Sequence, residues 1–186
     1  AKTKAALYDV PLYYDDYRKL LENKDIDVVH VCSPNFLHYQ MAKDALLAGK
    51  HVVCEKPLTL TRAEGEDLLA LAAEKKLVNA VHFNIRYYPL VRHMHTMVAK
   101  NDIGSIYAVS GSYLQDWLFL DTDYSWRIES AVSGPTRAIG DIGSHWLDLV
   151  EYVTGLEVDE VMADLETFHK TRKKTLKPVE TWSGKI

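Results

Sequence analysis

Three short apolar runs in the first half of this chain end in polar groups suited to binding a ligand: Ser33 with Asn35, Glu55 with Lys56, and His82 with Asn84. In a parallel α/β sheet, ligands bind beyond the carboxyl ends of the strands, so these pairs are candidates for one surface. Pro57 holds the backbone of Lys56 extended and directs its side chain. A lysine pinned there can donate to a hydroxyl or carbonyl oxygen and stabilise developing negative charge. Position alone leaves an ordinary turn lysine equally open. A second cluster, Gly140-Asp141-Ile142-Gly143-Ser144-His145, opens a helix. Asp141 and His145 are four residues apart, so both project toward one side of the helix mouth. A helix N-terminus disfavours imidazolium and leaves His145 able to accept a proton, with Asp141 orienting it or binding a hydroxyl. The plainer alternative, Asp141 as a cap and His145 as a satisfied core residue, stays open. Tyr113, Gln115, Asp116 and Trp117 combine an aromatic face with amide and carboxylate groups, as a sugar site does. Trp126-Arg127 suits the clamping of an anionic cofactor group. His93 and His95 are two apart on a helix and face differently. His30, His51 and His169 lie within strand-like runs, so no metal site is expected.

These groups need elements to carry them. Asp27–Ser33 is a β-branched run of the kind that forms a strand covered on both faces. Asn35 can cap the next helix, with Leu37, Met41, Ala45 and Ala48 on one face and Gly49 as its stop. A second buried strand spans His51–Glu55. Thr61 and Glu64 form a capping box for a helix to about Lys76, with Leu68, Leu69 and Leu71 inward, and a third strand spans Leu77–Phe83. Before them, Asp15 or Asp16 caps a helix over 16–23. This rhythm predicts a parallel sheet. After Pro89 a helix runs to about Asn101. Residues 106–117 and 157–169 read as strands, 119–139 lack periodicity, and a helix spans 143–154 with Trp146, Leu149, Val150 and Val153 on one stripe. A further strand begins at the chain's end. The fold class is α/β, with a boundary at 104/105: a parallel-sheet domain over 1–104 and part of an α+β domain over 105–186.

The chain has 186 residues, 47% hydrophobic and 26% charged, ordinary for a globular protein. A net charge of −4 offers no field to gather nucleic acid or an anionic membrane. Arg172-Lys173-Lys174 is a solvated run. No apolar stretch approaches the ~20 residues of a membrane span, and no signal peptide is visible, so a cytoplasmic location is expected. Cys32 and Cys54 read as buried free thiols. G-x-G-x-x-G, P-loop and G-x-S-x-G motifs are absent from the sequence.

Taken together, the motifs resemble the Gfo/Idh/MocA oxidoreductases. The matching residues are Asp27-Val28-Val29, Ser33-Pro34-Asn35 with His38, Glu55-Lys56-Pro57, and the run from His82 to Pro89 that holds Asn84 and Arg86. Asp102–Ile106, Gln115-Asp116-Trp117, Trp126-Arg127 and Asp141–His145 complete the set. The resemblance implies a partial Rossmann domain followed by part of an α+β domain with an open, mainly antiparallel sheet, through which members form dimers or tetramers. It implies NAD or NADP as cofactor, with Ser33, Pro34, Asn35, His38, Glu55, Lys56, Asn84, Trp126 and Arg127 near it. Lys56, Asp141 and His145 match the catalytic residues, with His145 as proton acceptor. Arg86, Tyr113, Gln115 and Asp116 join Lys56, Asp141 and His145 toward a sugar or polyol substrate. The implied reaction moves a hydride from a secondary alcohol to the nicotinamide. Alternatives on this scaffold are an NAD-dependent glycosidase and a non-catalytic sugar-binding regulator. The family's glycine-rich turn is missing, and the sequence is read as a fragment of a protein about twice as long.

Overall fold

Three β-branched runs pair as a parallel sheet: β1 (Val28–Val31), β2 (His51–Cys54) and β3 (Asn79–Val81), in that order. The register sets His30 beside Val53 and Val31 beside Cys54, and Cys54 beside Val81. Pairing continues past the strand ends, because Glu55 N donates to Val31 O at 2.9 Å and His82 N to Cys54 O at 2.8 Å. The computed structural model describes residues 1–174, and the further strand expected at the chain's end lies outside them.

Two helices connect the strands, α3 (His38–Leu47) and α4 (Arg62–Lys75), and they pack on each other. Ahead of the sheet lie α1 (Lys2–Leu7) and α2 (Tyr17–Leu21), the latter capped by Asp16, which accepts from Arg18 N. The capping box at α4 is formed: Thr61 accepts from Glu64 N, and the Glu64 side chain accepts from Thr61 N. Strands and helices close over one apolar core containing Leu21, Val31, Ala42, Leu46, Val52, Cys54, Leu68 and Ala72. Two helix faces differ from expectation. In α3 the buried positions are His38, Ala42, Ala45 and Leu46, while Ala48 is exposed. In α4 Leu68 and Ala72 are buried, while Leu69 is 64% exposed. A helix turns about 100° per residue, so adjacent Leu68 and Leu69 cannot share one narrow stripe. Asn35 does not cap α3; it starts a short 3-10 turn (Asn35–Leu37).

The chain divides into two compact units, Ala1–His82 and Phe83–Ile186, so the division falls earlier than the expected 104/105. The physical reason is that α5 (Pro89–Ala99) packs on α7 (Ser144–Thr154). Between them in sequence are a 3-10 turn at Trp126–Ile128, the short α6 (Ser130–Ser133) and a π-type turn at Ile139–Gly143 that leads into α7. In α7 the buried residues are His145, Asp148 and Val153, two of them polar, while Trp146, Leu149 and Val150 are half-buried. The strands expected at 106–117 and 157–169, and the antiparallel sheet they would form, do not occur among the described residues. A strand exists only with a ladder partner. Here Tyr107, Leu114, Val161, Met162 and Phe168 remain exposed.

Candidate active site

In the first unit the expected residues gather at the carboxyl edge of the sheet. His38 is 1% exposed; its Nδ1 lies 2.7 Å from Pro57 O and its Nε2 2.8 Å from Ser33 O. One buried ring therefore ties the Ser33-Pro34-Asn35 turn to the Lys56-Pro57 turn, whose peptide bond is cis. Such buried side-chain to backbone bonds fix loop geometry because breaking them would strand polar groups. Among the described residues the Ser33 hydroxyl is buried without a hydrogen-bond partner, the kind of orphan a bound ligand satisfies. Glu55 accepts from His82 Nδ1 at 2.6 Å.

In the second unit a different construction holds the remaining candidates. Asp141 sits in the π-type turn, 3.3 Å from Arg137 Nη1 and 3.8 Å from Arg127 Nε. The π-type bulge ahead of α7 is a frequent mark of functional sites. His145, one turn further on, is 8% exposed, with Phe83 and Tyr113 edge-on at ring distances of 5.8 and 6.1 Å. Tyr113, Gln115 and Trp117 form a relay: Gln115 Nε2 donates to the Tyr113 hydroxyl at 3.3 Å, and Trp117 Nε1 donates to Gln115 Oε1. The Arg127 guanidinium lies 4.5 Å from the Trp126 ring and 6.0 Å from that of Trp117, and Arg137 lies 5.8 Å from the Trp117 ring. Pairwise contacts thus run in series from His145 through Tyr113, Gln115 and Trp117 to Arg137 and Asp141, a wall of imidazole, amide, indole and carboxylate of which Gln115 and Arg137 border a cleft. A cleft of about 810 Å³ bordered by Gln115, Tyr124, Glu129, Arg137 and Arg172 opens within this unit, a size that suits a sugar-scale ligand.

Some expected residues stand elsewhere. Arg86 is bound to Asp148 by both carboxylate oxygens, with Nη2 to Oδ1 at 2.6 Å and Nε to Oδ2 at 2.8 Å. Its guanidinium also covers the Tyr152 ring at 5.1 Å, so it clasps the Asn84–Tyr87 turn to α7. Asp116 is exposed beside the relay. Asn84 begins the 3-10 turn that opens the second unit. Arg137 was missed by sequence reasoning; its four-residue spacing from Asp141 was the available signal. Burial, with Arg172 and Arg127 adding to it, lowers its pKa from the ordinary guanidinium value, and Asp141 offsets part of this.

Two family models match the chain: an oxidoreductase family with an NAD-binding Rossmann fold over residues 1–83, and the GFO/IDH/MocA C-terminal domain over residues 91–182. Levoglucosan dehydrogenase of Pseudarthrobacter phenanthrenivorans is 37% identical over 154 residues, covering 82% of this chain and 39% of the relative. A crystal structure of an oxidoreductase domain protein from Kribbella flavida superposes with a TM-score of 0.80 at 42% identity, over 83% of this chain and 42% of that one. A levoglucosan dehydrogenase in complex with NADH and levoglucosan gives a TM-score of 0.79 at 35% identity, over 83% of this chain and 42% of that one. The chain therefore spans about two-fifths of the length of these relatives. No helix among the described residues is long and apolar enough to cross a membrane. With both domain models matched in chain order and sugar dehydrogenases among its relatives, the chain belongs to the Gfo/Idh/MocA oxidoreductase family.

Proposed function

We propose that the protein of which this chain is part oxidises a secondary hydroxyl of a sugar or polyol with NAD or NADP. One observation carries most of the weight: Asp141, bracketed by two arginines, lies one helical turn from the buried His145 on a wall that also holds Tyr113 and Gln115. The orphaned Ser33 hydroxyl and the His38-braced turns at the sheet edge suit the nicotinamide side of a dinucleotide. Ser33, Pro34, Asn35, His38, Glu55 and Asn84 are the residues assigned to that side, with Trp126 and Arg127 assigned to an anionic group. When bound, the nicotinamide ring supplies the hydride acceptor.

The chain's own residues do the rest. His145 takes the hydroxyl proton, which requires its imidazole to be neutral beforehand. Lys56 donates to the reacting oxygen and steadies charge developing on it. Asp141, fixed by Arg127 and Arg137, accepts from a neighbouring substrate hydroxyl and so orients the carbon to be oxidised. Levoglucosan is the first sugar to try, given the relative acting on it.

The test is reduction of NAD and NADP by the full-length protein over a panel of levoglucosan, D-xylose, glucose 6-phosphate and inositols. His145→Ala is expected to lower kcat about 10²- to 10⁴-fold, and Lys56→Met to abolish turnover with the fold intact. Full activity in either variant, or no reduction with any sugar or polyol, overturns the reading. Dimers or tetramers of the full-length protein belong to the same proposal, checked by light scattering.

A further inference from the structure

On the face of the parallel sheet opposite α3 and α4, the register gathers four side chains, of which only Glu55 is also assigned above to the cofactor side. His30 and Cys32 are two apart on β1 and its extension, so both point to that face. Glu55 stands at the end of β2 beside Cys32, and His82 at the end of β3 beside Glu55, held in step by the backbone bonds that continue the ladder. His30, Cys32 and Glu55 bring a nitrogen, a sulfur and a carboxylate oxygen within 4.8 Å of one another. His30 Nε2 lies 3.9 Å from Glu55 Oε1, and His82 Nδ1 donates to that same oxygen at 2.6 Å. The His30 and His82 rings meet edge-on with centroids 5.2 Å apart.

We propose that His30, Cys32 and Glu55 form a binding site for a divalent cation of the zinc class, with His82 orienting the carboxylate. An ordinary hydrogen bond explains Glu55 and His82. It does not explain why an imidazole and a free thiol from the neighbouring strand turn onto the same point. Ligand bonds of about 2.0 to 2.3 Å in a tetrahedral arrangement place donor atoms roughly 3.3 to 3.8 Å apart. The cluster is therefore about 1 Å wider than a loaded site, a gap that side-chain torsions of half-exposed His30 and exposed Cys32 can close. Sulfur with imidazole selects zinc or cobalt over magnesium or calcium. Three protein ligands leave a fourth position open to water or a ligand, as in sites that are not purely structural. The His82–Glu55 bond supplies the outer contact that sets a ligating carboxylate's direction. This assignment shares Glu55 with the proposed cofactor side, but hydride transfer uses no metal, so Co²⁺ binding and sugar turnover are read separately and either can fail alone.

The test is a titration of the reduced full-length protein with Co²⁺, followed by its thiolate-to-cobalt absorption and by displacement with Zn²⁺. One equivalent is expected to produce the band. Cys32→Ser should abolish it, and His30→Gln, which removes a direct ligand, should weaken Co²⁺ binding by more than the roughly 10- to 100-fold typical of a lost outer contact, while melting curves of both variants match the parent. His82→Gln should weaken it less than His30→Gln. Absence of a sulfur band, a band that survives Cys32→Ser, or unchanged affinity in a folded His30→Gln protein would overturn the assignment.

Discussion

The two units reach order by different physical routes. In Ala1–His82 the strands alternate with amphipathic helices, and the core is almost wholly apolar, from Leu21 to Ala72. Polar candidates are confined to the turns at one edge of the sheet. From Phe83 onward, α7 is joined to the Asn84–Tyr87 turn by an ion pair between Arg86 and a buried Asp148, and to α5 by His95, which stacks on Tyr152 at 4.6 Å and donates to its carbonyl at 2.7 Å. Three arginines, 127, 137 and 172, serve one carboxylate, two indoles and several carbonyls. A unit held by apolar packing tolerates many polar surfaces. A unit held by charge pairs depends on each partner being present, since an unpaired buried charge costs more than the pair contributes. The first arrangement suits a rigid edge that presents turns; the second suits a wall whose polar groups are already oriented.

Breaking each route in turn tests the contrast. Leu46→Ala, at a side chain only 2% exposed, should cost about 2 to 5 kcal/mol in urea unfolding; a loss below 1 kcal/mol would mean the first core is loosely packed. Arg86→Met should cost about 3 kcal/mol, at the low end for a broken buried pair because Arg86 is 40% exposed. If the double variant Arg86→Met with Asp148→Leu recovers most of that loss, the stranded charge is its cause. Thr61→Ala removes one half of the capping box and should cost about 1 kcal/mol, read as a shifted urea midpoint.

The smallest expected effect concerns pH. Hydrogen bonds from Lys43 and Tyr39 hold the Asp67 carboxyl below its ordinary value. A carboxyl depressed in the folded state adds stability above its unfolded pKa and loses it as pH falls through the folded one. Asp67→Asn should therefore slightly lower stability at neutral pH and flatten its decline on the acid side, below about pH 4. Thiol labelling gives a sharper check on burial: Cys32 is exposed, whereas burial pushes Cys54 up to about 12. A thiol reagent should label Cys32 in the native protein and Cys54 only after unfolding.

Much of the first unit was legible in the residues. The Thr61–Glu64 box, Gly49 at φ +77° and the three β-branched runs all report on their own neighbourhoods, and the structure agrees with each. The helix faces shifted by a residue because a short amphipathic pattern admits neighbouring stripes. In the second unit the helix at Ser144–Thr154 was legible, but the strands were not found, since alternation describes a half-buried segment and says nothing of its partner. His38 matched a motif position, yet its bracing of two turns was invisible in the sequence. Arg137 was overlooked because the stretch around it has no period to read.

What the sequence by itself determined was local: which segments are helix or strand, where they start and stop, and which residue types stand at the ends of the strands. Backbone propensity, capping and periodicity act over a few residues, so one strand of text carries them. Only the tertiary structure decided that Arg86 meets Asp148 across 62 positions, that Glu55 meets His82 across 27, and that His30 and Cys32 turn toward the same carboxylate. Those meetings depend on sheet register and helix packing, which are set by the burial of the whole core and by no single neighbourhood along the chain.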